Sequence, residues 1–320
     1  MFDSLNYIIR NVMQLDFNHI CKLGKIRIKP FQKVNKNTGY TNSCYEFNYK
    51  TIEFKYNSNT KILVVITNAH NILNKEDITL SDRDLYEQRV NQIVSEILNT
   101  TNFQLEVSRV DYCIDLKLDD LISPYLLLQK YNKKKYKHMK VEIEYGTSLY
   151  MKNKHGKTNI NFYNRYAKTG QEKDKGIMRY ELQCKKKLIK TEYDRYGIDK
   201  ELSNYWSESA MQEYYFDYLY DFLYEGDFYK YETAKKMIND SDYTLKTKSK
   251  LRKFLRDVEK ETMSILLEEN KYSVGKFQNR VDKLNELHIN PIPIPQGYKY
   301  EKLDSLYNML QEKAKRDYFV

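Results

Sequence analysis

The sequence predicts an α+β protein, with an antiparallel-sheet domain over residues 1–195 followed by a mainly helical domain over residues 196–320. Three observations carry this. Short segments of period-two alternation, separated by Asn, Gly and Ser clusters, fill most of the first 185 residues. After about residue 195 the apolar spacing becomes helical. Late in the chain, Asn290-Pro-Ile-Pro-Ile-Pro295 carries three prolines and admits only extended backbone. At 320 residues the chain is long enough to bury a sizeable core and to divide into two domains.

In order, Lys25–Ile28, Tyr45–Tyr49, Thr51–Tyr56 and Lys61–Thr67 predict strands, divided by turn clusters at 35–39 and 57–59. Asp84–Leu98 predicts a helix: Val90, Ile93, Val94 and Ile97 keep helical spacing, and Ser81 or Asp82 supplies a cap. Gln104–Leu116 is the strongest strand signal. Val110, Tyr112, Ile114 and Leu116 share one face; Arg109, Asp111, Cys113 and Asp115 share the other. Leu118–Lys130 predicts a helix interrupted near Ser123-Pro124, and Tyr131–Lys140 a basic loop or helix end. Val141–Tyr145, Ser148–Lys152, Thr158–Tyr163 and Arg179–Gln183 complete the strands, with a hairpin turn at 153–156.

The second half reads differently. Glu201–Tyr224 predicts one aromatic-rich helix ended by Gly226, its rings spaced as core rather than as a binding platform. Tyr231–Asn239, Leu245–Val258 and Tyr272–Leu287 predict shorter helices, and an amphipathic helix closes the chain from about Lys302 to Lys315. The stretch 232–251 has the helix, short turn, helix rhythm of a DNA-binding module, which periodicity alone does not separate from an ordinary helical hairpin.

Two of the strands place polar side chains together. In Thr158–Tyr163, Ile160 and Phe162 point one way and Asn159, Asn161 and Tyr163 the other; in Arg179–Gln183, Tyr180 and Leu182 oppose Arg179, Glu181 and Gln183. Such a face meets either water or a substrate. It is a solvated outer face of the sheet, or a catalytic face with a tyrosine nucleophile and a metal-binding carboxylate. Asp111 and Asp115 share a face four residues apart, roughly 13 Å at ~3.3 Å per residue. A regular strand therefore does not bring both onto one ion, whose oxygen ligands lie at about 2.0–2.6 Å. One is a ligand, with Asp111 the choice, and the other holds a neighbour, unless Arg109 and Asp111 are only rim charges.

Composition narrows the classes. The net charge is +10, with basic clusters at 133–137, 185–187 and 246–256. With 31 tyrosines beside them, this surface suits nucleic acid, since Lys and Arg displace phosphate counterions and aromatic rings stack on unpaired bases. The five histidines form no HxH or HExxH pattern, and the four cysteines no CxxC, so neither a histidine metal site nor a disulfide framework is expected. Asp3 comes early and no long apolar run follows, which predicts no signal peptide, no membrane span and a cytoplasmic location.

Three pieces now stand in order: Val107-Ser-Arg-Val-Asp-Tyr-Cys-Ile-Asp115, Ile160-Asn-Phe-Tyr-Asn-Arg165 and Met178-Arg-Tyr-Glu-Leu-Gln183. The ordered set resembles replication initiators of rolling-circle elements, most of all the gene II/X-type phage and plasmid proteins, and is also similar to Rep_trans-type plasmid initiators. The turn at 152–158 and the late proline segment resemble the gene II/X type as well. The resemblance implies a fold like that of the HUH endonucleases, but this chain lacks the HUH histidines. It implies Tyr163 as the nicking nucleophile, Asp111, Asp115 and Glu181 as acidic positions serving Mg²⁺ or Mn²⁺, and Arg165 and Arg179 as groups offsetting charge on the phosphate. Arg165 stands where the family has lysine, which keeps the charge but not the compact ammonium. Tyr166 is a second nucleophile or a stacking residue, and Lys168, Lys246, Lys248 and Lys250 are candidate DNA contacts. The implied partners are origin DNA, a host helicase and polymerase, and a second copy in a homodimer. A mobilisation relaxase using the same chemistry is the nearest alternative; a non-catalytic DNA-binding initiator or repressor is another.

Overall fold

The computed structural model describes residues 2–34, 39–131, 139–144, 147–153, 155–218, 222–261 and 263–318. The lysine cluster at 133–137 and most of the turn expected at 35–39 lie outside them. The elements run β1 (Phe2–Ile9), α1 (Phe17–Lys22), β2 (Lys29–Val34), β3 (Thr41–Tyr49), β4 (Ile52–Asn57), β5 (Ile62–Asn68), α2 (Ala69–Leu73), α3 (Arg83–Leu98), β6 (Glu106–Lys117) and α4 (Ile122–Tyr131). Next come β7 (Met139–Glu144), β8 (Ser148–Asn153), β9 (Thr158–Asn164), α5 (Arg165–Thr169), β10 (Ile177–Cys184), α6 (Lys186–Tyr196) and α7 (Glu208–Met211). The last are β11 (Phe228–Tyr229), α8 (Tyr231–Asp240), α9 (Leu245–Lys260), α10 (Met263–Glu268), α11 (Val274–Glu286), β12 (Lys302–Leu303) and α12 (Leu306–Tyr318).

The class is α+β, with a large antiparallel sheet and several helices. Strand order is β2-β3-β4-β5-β1-β6-β10-β9-β8-β7. β1, which the sequence reading left without an element, is an interior strand, antiparallel to both β5 and β6, with Leu5 opposite Thr67 and Val110. Its register against β6 shifts near Asn6, where β6 holds one more residue between Val107 and Arg109 than β1 does opposite it. The strand expected at Lys25–Ile28 forms instead at β2, whose residues are all exposed. Period-two alternation is weak evidence where neither face is buried.

The chain divides into two compact units that interleave along the sequence, whereas the reading above cuts once near residue 195. One comprises Met1–Cys113, Gly156–Asn159 and Glu181–Met211; the other comprises Ile114–His155, Ile160–Tyr180 and Gln212–Val320. β6, β9 and β10 each carry residues of both, so no single cut in the chain separates them.

In the first unit, α3 buries Tyr86, Val90, Ile93, Val94 and Ile97, the helical stripe read from the sequence. Its start is fastened by Asp82, whose carboxylate accepts the Thr79 backbone N–H at 2.9 Å. Phe2 stacks on Trp206 with centroids 4.1 Å apart, and the Trp206 indole N–H donates to the Thr79 carbonyl at 3.2 Å. The aromatic stretch after residue 200 is therefore core, as its spacing implied. It is not one long helix: a 3₁₀ turn at Leu202–Asn204, α7 and a π-helical stretch at Gln212–Asp217 replace it. Tertiary packing of Trp206, Tyr205 and Tyr215, each at most 1% exposed, overrides the helical period.

In the second unit, Phe162 of β9 meets Tyr180 of β10 and Phe222 at 4.9 and 5.9 Å between centroids. α9 and α11 join through Phe254 and Phe277, edge to face at 5.2 Å. The proline segment is extended and buried, pairing in parallel as Ile289 with Asp227 and Ile294 with Lys230. Gly226 permits this approach, because a Cβ there would lie 2.4 Å from the Ile289 carbonyl carbon. Among the described residues no helix is long and apolar enough to cross a membrane.

Candidate functional site

The polar face of β9 and β10 is not a solvated one. Asn161 is 5% exposed, Tyr163 3%, Arg179 6% and Glu181 3%, and Asp111 on β6 is 1% exposed. Burying ionised groups costs several kcal/mol unless each finds a partner, so the pairing decides what the face can do. Asp111 is no rim charge.

In the second unit the pairing centres on Asp115. The Arg179 guanidinium donates to it through Nε at 2.7 Å and a terminal nitrogen at 2.9 Å, and Arg165 donates to Oδ2 at 2.5 Å. Arg165 also reaches buried Asp174 at 3.1 Å, and Asp174 accepts the Thr169 hydroxyl at 2.5 Å. Local structure sets this corner. Asn164 ends β9 and caps α5, its side chain accepting the Ala167 N–H at 3.2 Å, so the chain turns directly after Tyr163 and Asn164. Arg165 and Lys168 are thereby presented on one short helix, and the Lys168 ammonium lies 4.2 Å from the centroid of the Tyr163 ring. Although burial opposes it, the paired Arg179 and Arg165 hold the Asp115 carboxyl below the usual carboxylate range.

Tyr163, Arg165, Lys168 and Arg179 are thus gathered at one corner, two of the cations locked on a single carboxylate. Tyr166 stands apart from them. It is half-buried, its hydroxyl donates to Glu172 at 3.4 Å, and the Lys175 ammonium lies 5.3 Å from its ring centroid. It is the more accessible of the two tyrosines.

In the first unit Arg109 forks onto Asp111, Nε to Oδ1 at 2.8 Å and a terminal nitrogen to Oδ2 at 2.6 Å. Burial, with the nearby charges of Glu181 and Asp3, pushes the Asp111 carboxyl up to about 7 against the pull of Arg109. Glu181 accepts from the Gln183 amide at 2.5 Å, and Gln183 accepts in turn from Asn159 at 3.0 Å. β9 and β10 therefore share a hydrogen-bonded polar chain.

A single divalent ion shared by Asp111, Asp115 and Glu181 together does not fit this arrangement. Guanidinium groups hold both oxygens of each aspartate, and among the described residues no three His, Cys, Asp or Glu side chains are grouped closely enough to hold a metal. The physical reason is the strand period: Arg109 and Asp111, at i and i+2, share a face and pair, and the i+4 step to Asp115 is too long to share an ion. Arg109 as the partner of Asp111 was legible in that spacing, whereas Asp174, at the end of a 3₁₀ turn before β10, had no sequence signal.

Farther along the second unit, Lys246 and Lys250 are exposed on α9. Lys248 has a protein partner, its ammonium donating to the Asn239 carbonyl at 2.7 Å. No family model matches the chain, and no curated protein matches it. Among solved structures it is similar to a rolling circle replication initiator protein from Geobacillus stearothermophilus, at 13% identity over 58% of this chain and 73% of that one, with a TM-score of 0.31, a likeness too slight to assign fold or function.

Proposed function

We propose that the chain is a DNA-nicking initiator of rolling-circle replication, cutting one strand through Tyr163. The observation that carries the reading is the cationic corner around this tyrosine: Lys168 over its ring, with Arg165 and Arg179 held on Asp115. In the step, the phenol oxygen loses its proton, attacks the phosphorus and forms a phosphotyrosine with the 5′-phosphate of the downstream fragment. The bond to the 3′ oxygen breaks, and that oxygen takes a proton to become the 3′-OH that primes synthesis. A phenol with a pKa near ~10 ionises more readily beside cations, and charge developing on the phosphate is offset by preoriented guanidinium groups. Asp115 serves here as a positioning residue, fixing two guanidinium planes that would otherwise move freely. A mobilisation relaxase would use the same corner on a different origin.

A second reading is favoured by the burial of Tyr163. At 3% exposure its hydroxyl must be uncovered before it meets a phosphate, which a DNA-binding initiator or repressor without cleavage would not require. Covalent capture separates the two. The full chain is incubated with single-stranded oligonucleotides spanning candidate origin sequence, labelled at either end. Adduct with the downstream fragment, joined through its 5′-phosphate and so carrying the 3′-end label, lost in Tyr163→Phe and kept in Tyr166→Phe, supports the proposal. The reverse pattern moves the nucleophile to Tyr166, and no adduct on DNA that is nevertheless bound supports the second reading.

A further inference from the structure

α9 has two sides of opposite character. Leu251, Phe254, Leu255 and Val258 are buried, while Leu245, Lys246, Ser249, Lys250 and Lys253 are exposed along the other side of its first three turns. No acidic residue occurs between Tyr243 and Arg256. Lower on that side, Asp257 is engaged by the Tyr272 hydroxyl. α8 precedes α9 across four residues, Ser241–Thr244, and Thr244 caps α9 by accepting the Thr247 N–H at 3.3 Å.

The two helices are stitched together by three other cations of α9. Lys248 donates to the Asn239 carbonyl, in the last turn of α8, at 2.7 Å, and Arg252 donates to the Asn239 side-chain oxygen at 2.8 Å. Arg256 donates to the Tyr231 hydroxyl at 3.0 Å. The basic residues of α9 therefore divide by job: Lys248, Arg252 and Arg256 hold α8, and Lys246, Lys250 and Lys253 are presented outward on a braced helix.

We infer that this exposed side of α9 is a docking surface for the major groove of duplex DNA, with Lys246, Lys250 and Lys253 on phosphates and Leu245 and Ser249 toward base edges. The charge excludes a second copy of the same face, which would repel it. A lipid surface needs an apolar stripe, and that of α9 is already buried. A helix with side chains is about 10–12 Å across, which a major groove of about 12 Å admits and the narrow major groove of A-form RNA does not. The inference does not rest on the tyrosine chemistry.

The test is fluorescence anisotropy of the full chain on labelled duplexes over a salt series. Replacing Lys246, Lys250 and Lys253 together by Gln should lower the slope of log affinity against log salt by about 2.7, ~0.9 for each phosphate contact. The loss of affinity between about 50 and 200 mM salt then becomes roughly 40-fold smaller than for the wild type. Lys248→Gln should leave the slope unchanged and lower the melting temperature by about 2 °C. Selection from randomised duplexes should show an altered preference at one or two base pairs in Leu245→Ala and Ser249→Ala. All of these side chains but Lys248 are exposed, so unchanged circular dichroism is expected throughout. An unchanged slope in the triple variant, or equal binding to duplex RNA of the same sequence, overturns the inference.

Discussion

Arg179 and Asp115 meet fork to fork, with Nε–H on one carboxylate oxygen at 2.7 Å and a terminal N–H on the other at 2.9 Å. Only a planar guanidinium satisfies both oxygens at once. Arg179→Lys keeps the charge and loses the plane, so the rate of adduct formation on an origin oligonucleotide should fall by about 10²-fold, the scale for losing one preoriented donor. Tyr163→Phe should abolish the adduct outright. Rates within twofold of wild type in Arg179→Lys would remove the arginine from the proposed corner.

The Arg109–Asp111 pair should act on stability. Removing the guanidinium leaves a carboxylate 1% exposed without its partner, and Arg109→Met is expected to cost about 3 kcal/mol in urea unfolding. The double variant with Asp111→Asn should recover part of that loss, because no charge is then left buried. Simple additivity of the two single changes would contradict the coupling.

The two aspartates should titrate with opposite signs. Asp111 has a folded pKa near 7, above its unfolded value of about 4. Between these values the folded chain holds a proton that the unfolded chain has released, so stability falls as pH rises, and Asp111→Asn should flatten that slope. Asp115 is shifted downward. Its contribution is present above about 4 and is lost as pH falls through the folded pKa, so Asp115→Asn should be less stable at neutral pH and converge with wild type in acid. Melting temperatures across the acid and neutral range check both; slopes of the same sign at the two positions would refute the assignment.

Gly176 lies in the turn before β10, with φ +68°, and its carbonyl accepts the N–H groups of Leu118 and Asp119 at 2.8 and 3.0 Å. A Cβ there would come within 2.9 Å of the Asp119 Cα. Gly176→Ala should therefore cost about 2–4 kcal/mol, read as a lowered denaturation midpoint with an unchanged m-value.

Manganese should bind the free protein weakly. With the oxygens of Asp111 and Asp115 held by arginines, titration followed by Mn²⁺ paramagnetic resonance should show affinity no better than millimolar. A micromolar site abolished by Glu181→Gln would show that the arginine pairs give way to the ion.

Much of this was legible in the chain. The alternation around Asp111 and the helical stripe of α3 place themselves, because a strand has period two and a helix 3.6 whatever packs against them. Placing Arg165 just past Tyr163 needed only the end of one strand and the turn after it. Central β1 was missed because its Phe2–Ile9 run mixes Asp3, Ser4 and Asn6 among the apolar residues, and only its pairing with β5 and β6 makes it a strand. The long helix expected over 201–224 failed for the complementary reason: its aromatics fill cores, and packing outweighed the period.

The sequence by itself determined which side chains share a face, where the cations cluster, and that Arg165 stands two residues after Tyr163. Tertiary structure alone decided which of those groups are spent on one another. Asp115 is taken by Arg165 and Arg179, Asp111 by Arg109, and Lys248 by Asn239, while Lys246, Lys250 and Lys253 stay in water. Spacing along a strand or helix is fixed by local backbone geometry, but the partner of a charge depends on burial, and burial is a property of the assembled fold.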